Sequence, residues 1–199
     1  MKNKIIDSII ELIQKYYNYD KKEINKIRYG LESIYLSLFK LIIIILLSFI
    51  IHTIKQLCIF LLFYCLLRLT AFGLHTKKSI HCWILSLLTF TLIPYLIKVL
   101  IINKNIMLIT CLITIIIFII YSPSDTEKRP LINKRKRLIY KLISLIIVLL
   151  YTFLIINNYK YSNYLFFAMI LQSLLILPLS YKLLGLKYNN YKRYIRKEV

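Results

Sequence analysis

Six apolar stretches alternate with short polar breaks along the 199-residue chain, at about 33–52, 55–73, 82–101, 105–121, 138–157 and 162–182. Each is about twenty residues long, the length at which a helix crosses the ~30 Å hydrocarbon core of a bilayer. Positions 41–51 and 107–121 carry no charge at all. Only 3 Gly and 4 Pro interrupt the sequence, which favours helices over the turn-rich alternation of a barrel. The pattern predicts an all-α fold, a polytopic membrane helical bundle of about six transmembrane helices. Before the first stretch the period changes. Ile5, Ile6, Ile9, Ile13 and Tyr16 take one helical face and Lys4, Asp7, Glu11, Gln14 and Lys15 the other, as in an amphipathic helix lying in the membrane interface. Asp20 followed by Glu23 reads as a capping box that opens a second short helix. One membrane domain over 1–199 is expected, with interfacial helices over 1–32, the bundle over 33–182 and a basic tail over 183–199.

Composition strengthens this picture. Hydrophobic residues make up 59% of the chain and its mean hydropathy is +0.69, against a roughly 45–50% apolar share in soluble domains. The net charge of +20 comes from 28 Lys/Arg against 8 Asp/Glu. In a soluble domain such a balance points to nucleic acid. In a membrane protein it reads as cationic cytoplasmic loops beside anionic membrane lipid, so no nucleic-acid partner is expected. Residues 1–33 hold seven Lys/Arg, the 74–81 break two, the 122–137 loop six and the tail from Lys182 six, whereas the other side holds Lys55, Lys104 and Lys160. That bias predicts a multi-pass cell-membrane protein with both termini, the His75 break and the 122–137 loop in the cytoplasm.

Candidate chemistry collects in the break from Gly73 to Trp83, which holds His75, His81 and Cys82. Cys58, Cys65 and Cys111 lie inside apolar runs, where cysteine behaves as a small hydrophobe. No CxxC pair occurs, so neither a metal site nor a disulfide framework is expected. On an unbroken helix His75 and Cys82 would share a face yet stand about 10 Å apart along the axis, whereas a thiolate–imidazole pair needs contact near ~3 Å. The pair therefore requires a turn, which Gly73 and the polar residues Thr76 to Ser79 make feasible. Cys82 would then open a helix, where the macrodipole with Lys77 and Lys78 favours thiolate. His81 is the poorer partner, because adjacent helical residues do not face each other. Arg68, seven residues before His75, can snorkel to lipid phosphate, bind a substrate carboxylate or steady the site. Asp125 can orient His75 as a third member of a triad, or make an Asx-type turn between Pro123 and Pro130. Beyond Glu32 the acidic residues are Asp125, Glu127 and Glu198, so the spans lack the carboxylates of an ion-coupled pump. A transporter or channel for a peptide or small solute, and a non-catalytic scaffold, remain the alternatives to a membrane thiol enzyme.

Arg68, Gly73, His75 and Cys82 at this spacing, followed by Ser-Pro-Ser-Asp-Thr-Glu-Lys-Arg-Pro-Leu at 122–131, resemble the accessory gene regulator protein B (AgrB) family of Gram-positive quorum-sensing systems. The layout of N-terminal amphipathic segment, several spans and basic loops resembles it too. Ser122-Pro123 stands where the family usually has Ala-Pro, and Ala71-Phe72-Gly73-Leu74 is less glycine-rich than in many relatives. The resemblance implies a cysteine endopeptidase that trims the C-terminal part of an AgrD-type autoinducing-peptide precursor. Cys82 would be its nucleophile and His75 its general base, with Arg68, Gly73 and Asp125 in support. An acyl-enzyme thioester passed to an internal Cys or Ser of the precursor would close a thiolactone or lactone ring. The resemblance further implies that an acidic precursor segment meets Lys77, Lys78, Lys128, Arg129, Lys134, Arg135, Lys136 and Arg137, that the protein acts as a homodimer, and that no cofactor is needed.

Overall fold

The computed structural model describes residues 2–17, 19–76, 79–127 and 130–192. Lys77, Lys78, Lys128 and Arg129, four of the cations expected to meet an acidic substrate, lie outside the described residues, as does the tail from Arg193. The chain groups into two compact units, 1–50 and 51–199.

In the first unit α1 (Lys2–Tyr16) packs on α2 (Lys21–Ile50). Ile6 and Ile10, one turn apart, are buried while Ile5, Leu12 and Tyr16 are exposed, so the buried stripe of α1 is centred on Ile6 and Ile10, and Ile5 and Tyr16 of the expected apolar face lie outside it. Arg28 donates to Asp7 at 2.6 Å across the two helices. The capping box forms in part: the Glu23 carboxylate accepts the Asp20 N–H at 3.1 Å. The helix it opens does not stop before the first apolar run, however. The expected short helix and the first span are one 30-residue helix. No proline falls between Glu23 and Ser33, and an isolated Gly30 costs a helix interior only about 1 kcal/mol.

The second unit contains α3 (Ile54–Ala71), α4 (Ser79–Val99), α5 (Lys104–Tyr121), α6 (Lys134–Ile156), α7 (Ser162–Ile176) and the short α8 (Pro178–Leu183). Five helices among the described residues, α2 to α6, are long and apolar enough to cross a membrane. The expected sixth span at 162–182 is two elements. Leu177, at φ −66° and ψ 135°, is extended, because the ring of the following Pro178 disfavours helix at the residue before it. Pro178 then opens α8, where its missing N–H is harmless. With 15 residues, α7 reaches only about 22 Å.

Its brevity goes with its position. Leu165, Phe166, Ala168, Met169 and Ile176 of α7 are buried together with the polar Gln172 and Ser173, and α3, α4, α5 and α6 all pack against it. The outward faces of α4 to α6 present Ile84, Leu88, Ile109, Ile113, Leu142 and Ile146, apolar surface that suits lipid. Polar links join the helices inside: Ser122 and Ser144 share a buried hydroxyl bond of 2.6 Å, and the Tyr151 hydroxyl donates to the Phe63 carbonyl at 3.0 Å. Such bonds stand in for the hydrophobic drive that lipid removes between spanning helices. The protein is a polytopic helical membrane protein.

Candidate active site

The α3–α4 turn, the described residues of the 122–133 stretch and the segment after α7 gather at one end of the second unit. The chain turns between His75 and Cys82. α3 ends at Ala71, residues 72–76 form an irregular turn, and α4 begins at Ser79. His75 stands exposed in that turn, and Cys82 is half-buried in the first turn of α4. The His75 Nδ1 lies 3.3 Å from the Thr76 carbonyl oxygen. A carbonyl can only accept, so this bond forms in the tautomer that carries its proton on Nδ1. α4 packs along α3, where Tyr64 is buried one turn before Arg68.

The backbone of the turn is forced. Phe72 and Gly73 both have positive φ, 55° and 112°, a region that non-glycine residues occupy only when their surroundings impose it. A Cβ on Gly73 would meet Arg68 Nη1 at 2.6 Å and the Leu175 carbonyl oxygen at 2.9 Å. Arg68 donates through Nη1 to the Phe72 carbonyl at 2.6 Å and through Nη2 to the Leu74 carbonyl at 2.8 Å. Its guanidinium fork thus clamps the turn on either side of Gly73. The Gly73 N–H donates to the Ser124 carbonyl, the Ser124 N–H to the Ala71 carbonyl and the Leu74 N–H to the Leu175 carbonyl, at 2.9, 3.0 and 2.9 Å. The Ser124 hydroxyl donates to the Ile176 carbonyl at 3.1 Å, and the Gln172 amide reaches the Phe72 carbonyl at 2.7 Å.

The Asp125 carboxylate is engaged by backbone N–H groups of two segments. The residue is only 5% exposed. Its Oδ1 accepts the Asn190 N–H at 3.0 Å, and its Oδ2 accepts the Tyr191 N–H at 2.7 Å and the Leu131 N–H at 3.4 Å. The bond to Leu131 closes the proline-flanked loop, and the other two fasten the C-terminal segment. The Tyr181 hydroxyl donates to the Asp125 carbonyl at 3.0 Å, and Tyr188 packs edge-on against Tyr181. Burial pushes the Tyr181 and Tyr188 phenols above their ordinary range, so neither serves as a base at neutral pH. Residues expected to trail as a basic tail are therefore part of this end of the fold up to Lys192.

Of the described loop cations, Lys134, Arg135 and Lys136 are exposed at the start of α6. Arg137 is not available in the same way: its Cζ lies 3.3 Å above the Tyr191 ring, a cation–π contact. Cys58 and Cys65 are exposed on α3, and Cys111 is buried in α5. Among the described residues no group of three or more His, Cys, Asp or Glu side chains can hold a metal ion.

Sequence reasoning missed Gln172, Ser124 and the seat of Asn190. Gln172 alone left a signal, as a polar residue inside an apolar run. The other two depend on which loops meet at this end.

A family model described as Accessory gene regulator B matches residues 6–176. The chain is 32% identical to a putative AgrB-like protein of Clostridium acetobutylicum, over 98% of this chain and 96% of that one. It is 32% identical to a putative AgrB-like protein of Listeria welshimeri, covering 88% and 87% of the two chains. With an accessory gene regulator protein B of Staphylococcus aureus it shares 30% identity over 87% of this chain and 93% of that one. No solved structure matches. The family model, which matches most of the chain, and these relatives place it in the accessory gene regulator B family.

Proposed function

We propose that the protein is a membrane cysteine endopeptidase that cleaves an AgrD-type peptide precursor and keeps the acyl group as a thioester for ring closure. The observation that carries this reading is the clamped α3–α4 turn, which sets His75 in an exposed bend and Cys82 in the first turn of a helix. A helix start favours the thiolate electrostatically, and the exposed His75 imidazole offers a base. In the proposed reaction His75 Nε2 takes the Cys82 proton and Sγ attacks the scissile carbonyl. The imidazolium returns the proton to the departing amine, which leaves a thioester on Cys82. An internal Cys or Ser of the precursor, deprotonated by the same imidazole, then attacks the thioester and closes the ring, and Cys82 leaves as thiol. Exposed Lys134, Arg135 and Lys136 offer an acidic precursor segment a cationic surface beside the site. The Lys/Arg bias assigns this end of the protein to the cytoplasm.

The test is co-expression with an AgrD-type precursor, with cleavage followed by mass spectrometry of the products. Cys82→Ala abolishes cleavage, and His75→Ala lowers it by about 10²–10⁴-fold, while both variants still insert in the membrane. Cleavage at the normal rate by Cys82→Ala would sink the proposal.

A further inference from the structure

Gln172 lies in the second half of α7 with none of its surface exposed, among Leu165, Ala168, Met169 and Ile176. A primary amide in the core of a membrane bundle is costly and calls for a reason. Packing does not supply one, because Met or Leu would fill the same space without a polar group. Nor does hydrogen bonding as a whole, because Oε1 has no partner among the described residues and less than 1 Å² of exposure. Only the other half of the amide is in use. Nε2 donates to the Phe72 carbonyl at 2.7 Å.

That carbonyl belongs to the most forced peptide of the site. It precedes Gly73, both of its flanking residues have positive φ, and it takes a second donor from Arg68. Arg68 sits at the end of α3, the helix that runs directly into the turn, so by itself it leaves the turn free to move with α3. Gln172 comes from another helix. With the Leu175 carbonyl, which accepts the Leu74 N–H, it fixes the turn from α7 on both sides of Gly73. The next residue after Leu74 is His75.

We propose that Gln172 is a positioning residue for His75: its amide holds the Phe72 carbonyl so that the turn aims the imidazole at Cys82. This inference rests on the proposed His75–Cys82 dyad. Tolerating an unpaired Oε1 is the cost of having Nε2 in this place, since no shorter or apolar side chain delivers a neutral donor there.

The test reads Cys82 itself and needs no precursor. Wild type, His75→Ala, Gln172→Met and Gln172→Asn are purified in lipid nanodiscs, and alkylation of Cys82 by iodoacetamide is followed by peptide mass spectrometry. That readout keeps Cys58, Cys65 and Cys111 out of the signal. Thermal unfolding is measured on the same samples. Gln172→Met removes the donor and the orphan acceptor at nearly constant volume, so its unfolding temperature stays at or above that of wild type. Its Cys82 alkylation at pH 7 nonetheless slows about tenfold, toward the His75→Ala rate, because an unassisted thiol is only a few per cent thiolate there. The gap narrows at pH 9.5, where thiolate forms without a base. Gln172→Asn, one methylene too short to reach Phe72, slows in the same way and decides the matter if the Met variant unfolds. Wild-type rates in both Gln172 variants with a slow His75→Ala overturn this inference and leave the dyad standing. A slowing that is equal at pH 7 and pH 9.5 also overturns it, because that is general loss of structure. No effect of His75→Ala overturns the dyad, and this inference with it.

Discussion

The two breaks at the Cys82 end of the second unit, described over residues 72–76 and over 122–127 and 130–133, are used in opposite ways. In the first the backbone is tied and the functional side chain is left exposed. Phe72, Gly73 and Leu74 are locked by Arg68, Ser124, Leu175 and Gln172, and His75 is exposed. In the second the chemistry is folded inward. Ser122, Ser124 and Asp125 are buried, and the Asp125 carboxylate is filled by three backbone N–H groups. A buried carboxylate that accepts three backbone N–H bonds anchors the segments that donate them, because losing it would leave those N–H groups without partners. An exposed imidazole stays accessible to a substrate. The first break carries the proposed reaction and the second builds its mould.

The largest effect is expected from Gly73→Ala. It combines a φ of 112° with a Cβ 2.9 Å from the Leu175 carbonyl oxygen, which belongs to the α7 backbone and cannot swing aside. The cost is about 2–4 kcal/mol, read as a lowered unfolding temperature together with loss of cleavage. An alanine variant of full stability would show that the turn is not forced.

Arg68→Lys comes next and sharpens what the first break does. A lysine ammonium can reach one of the two carbonyls, Phe72 or Leu74, but lacks the fork that spans both. Cleavage is expected to fall about tenfold to a hundredfold, the scale set by small misplacements of a catalytic group, in kcat with KM little changed. A rise in KM at constant kcat would instead assign Arg68 to binding a substrate carboxylate.

The reach of sequence reasoning divides along the same line. Periodicity and length identify the apolar helices, and Gly73 with the polar residues after it marks the break between α3 and α4. These are local properties. The split of the 162–182 stretch was also legible, in Leu177-Pro178, but a run of apolar residues on both sides of the proline hides it. The service of Asp125 to Asn190 and Tyr191 was not legible, because 65 residues separate the partners and nothing in either segment specifies the other. For the same reason the tail reads as loose cationic chain until Asp125 and Arg137 are seen to hold it. Gln172 falls between these cases. Its polarity marks it, but only the fold shows which carbonyl it meets.

Asp125→Asn breaks the comparison most directly. The amide keeps one acceptor oxygen and turns an NH₂ toward a backbone N–H, so about 1–3 kcal/mol of the C-terminal attachment is lost. Faster hydrogen exchange at the Asn190 and Tyr191 amides is the expected readout. Cleavage should fall at least about tenfold less than in His75→Ala, for which the loss is ~10²–10⁴. Loss of cleavage equal to that of His75→Ala, with exchange at those two amides unchanged, would make Asp125 a triad member.

The smallest effect belongs to the rim of the same anchor. Lys187 pairs with Glu127 at 3.2 Å, but the two side chains are 47% and 43% exposed, so water and salt screen most of the attraction. Lys187→Ala is expected to change stability by about 0–1 kcal/mol. Exchange at Asn190 and Tyr191 should then stay near wild type, and raising the salt concentration should reproduce whatever small change remains. The contrast with Asp125→Asn is informative because both substitutions loosen the same short segment from the same loop. If Lys187→Ala frees the two amides as fully as Asp125→Asn, the surface pair and not the buried carboxylate fastens the C-terminal segment. The second break would then lose the feature that sets it apart from the first.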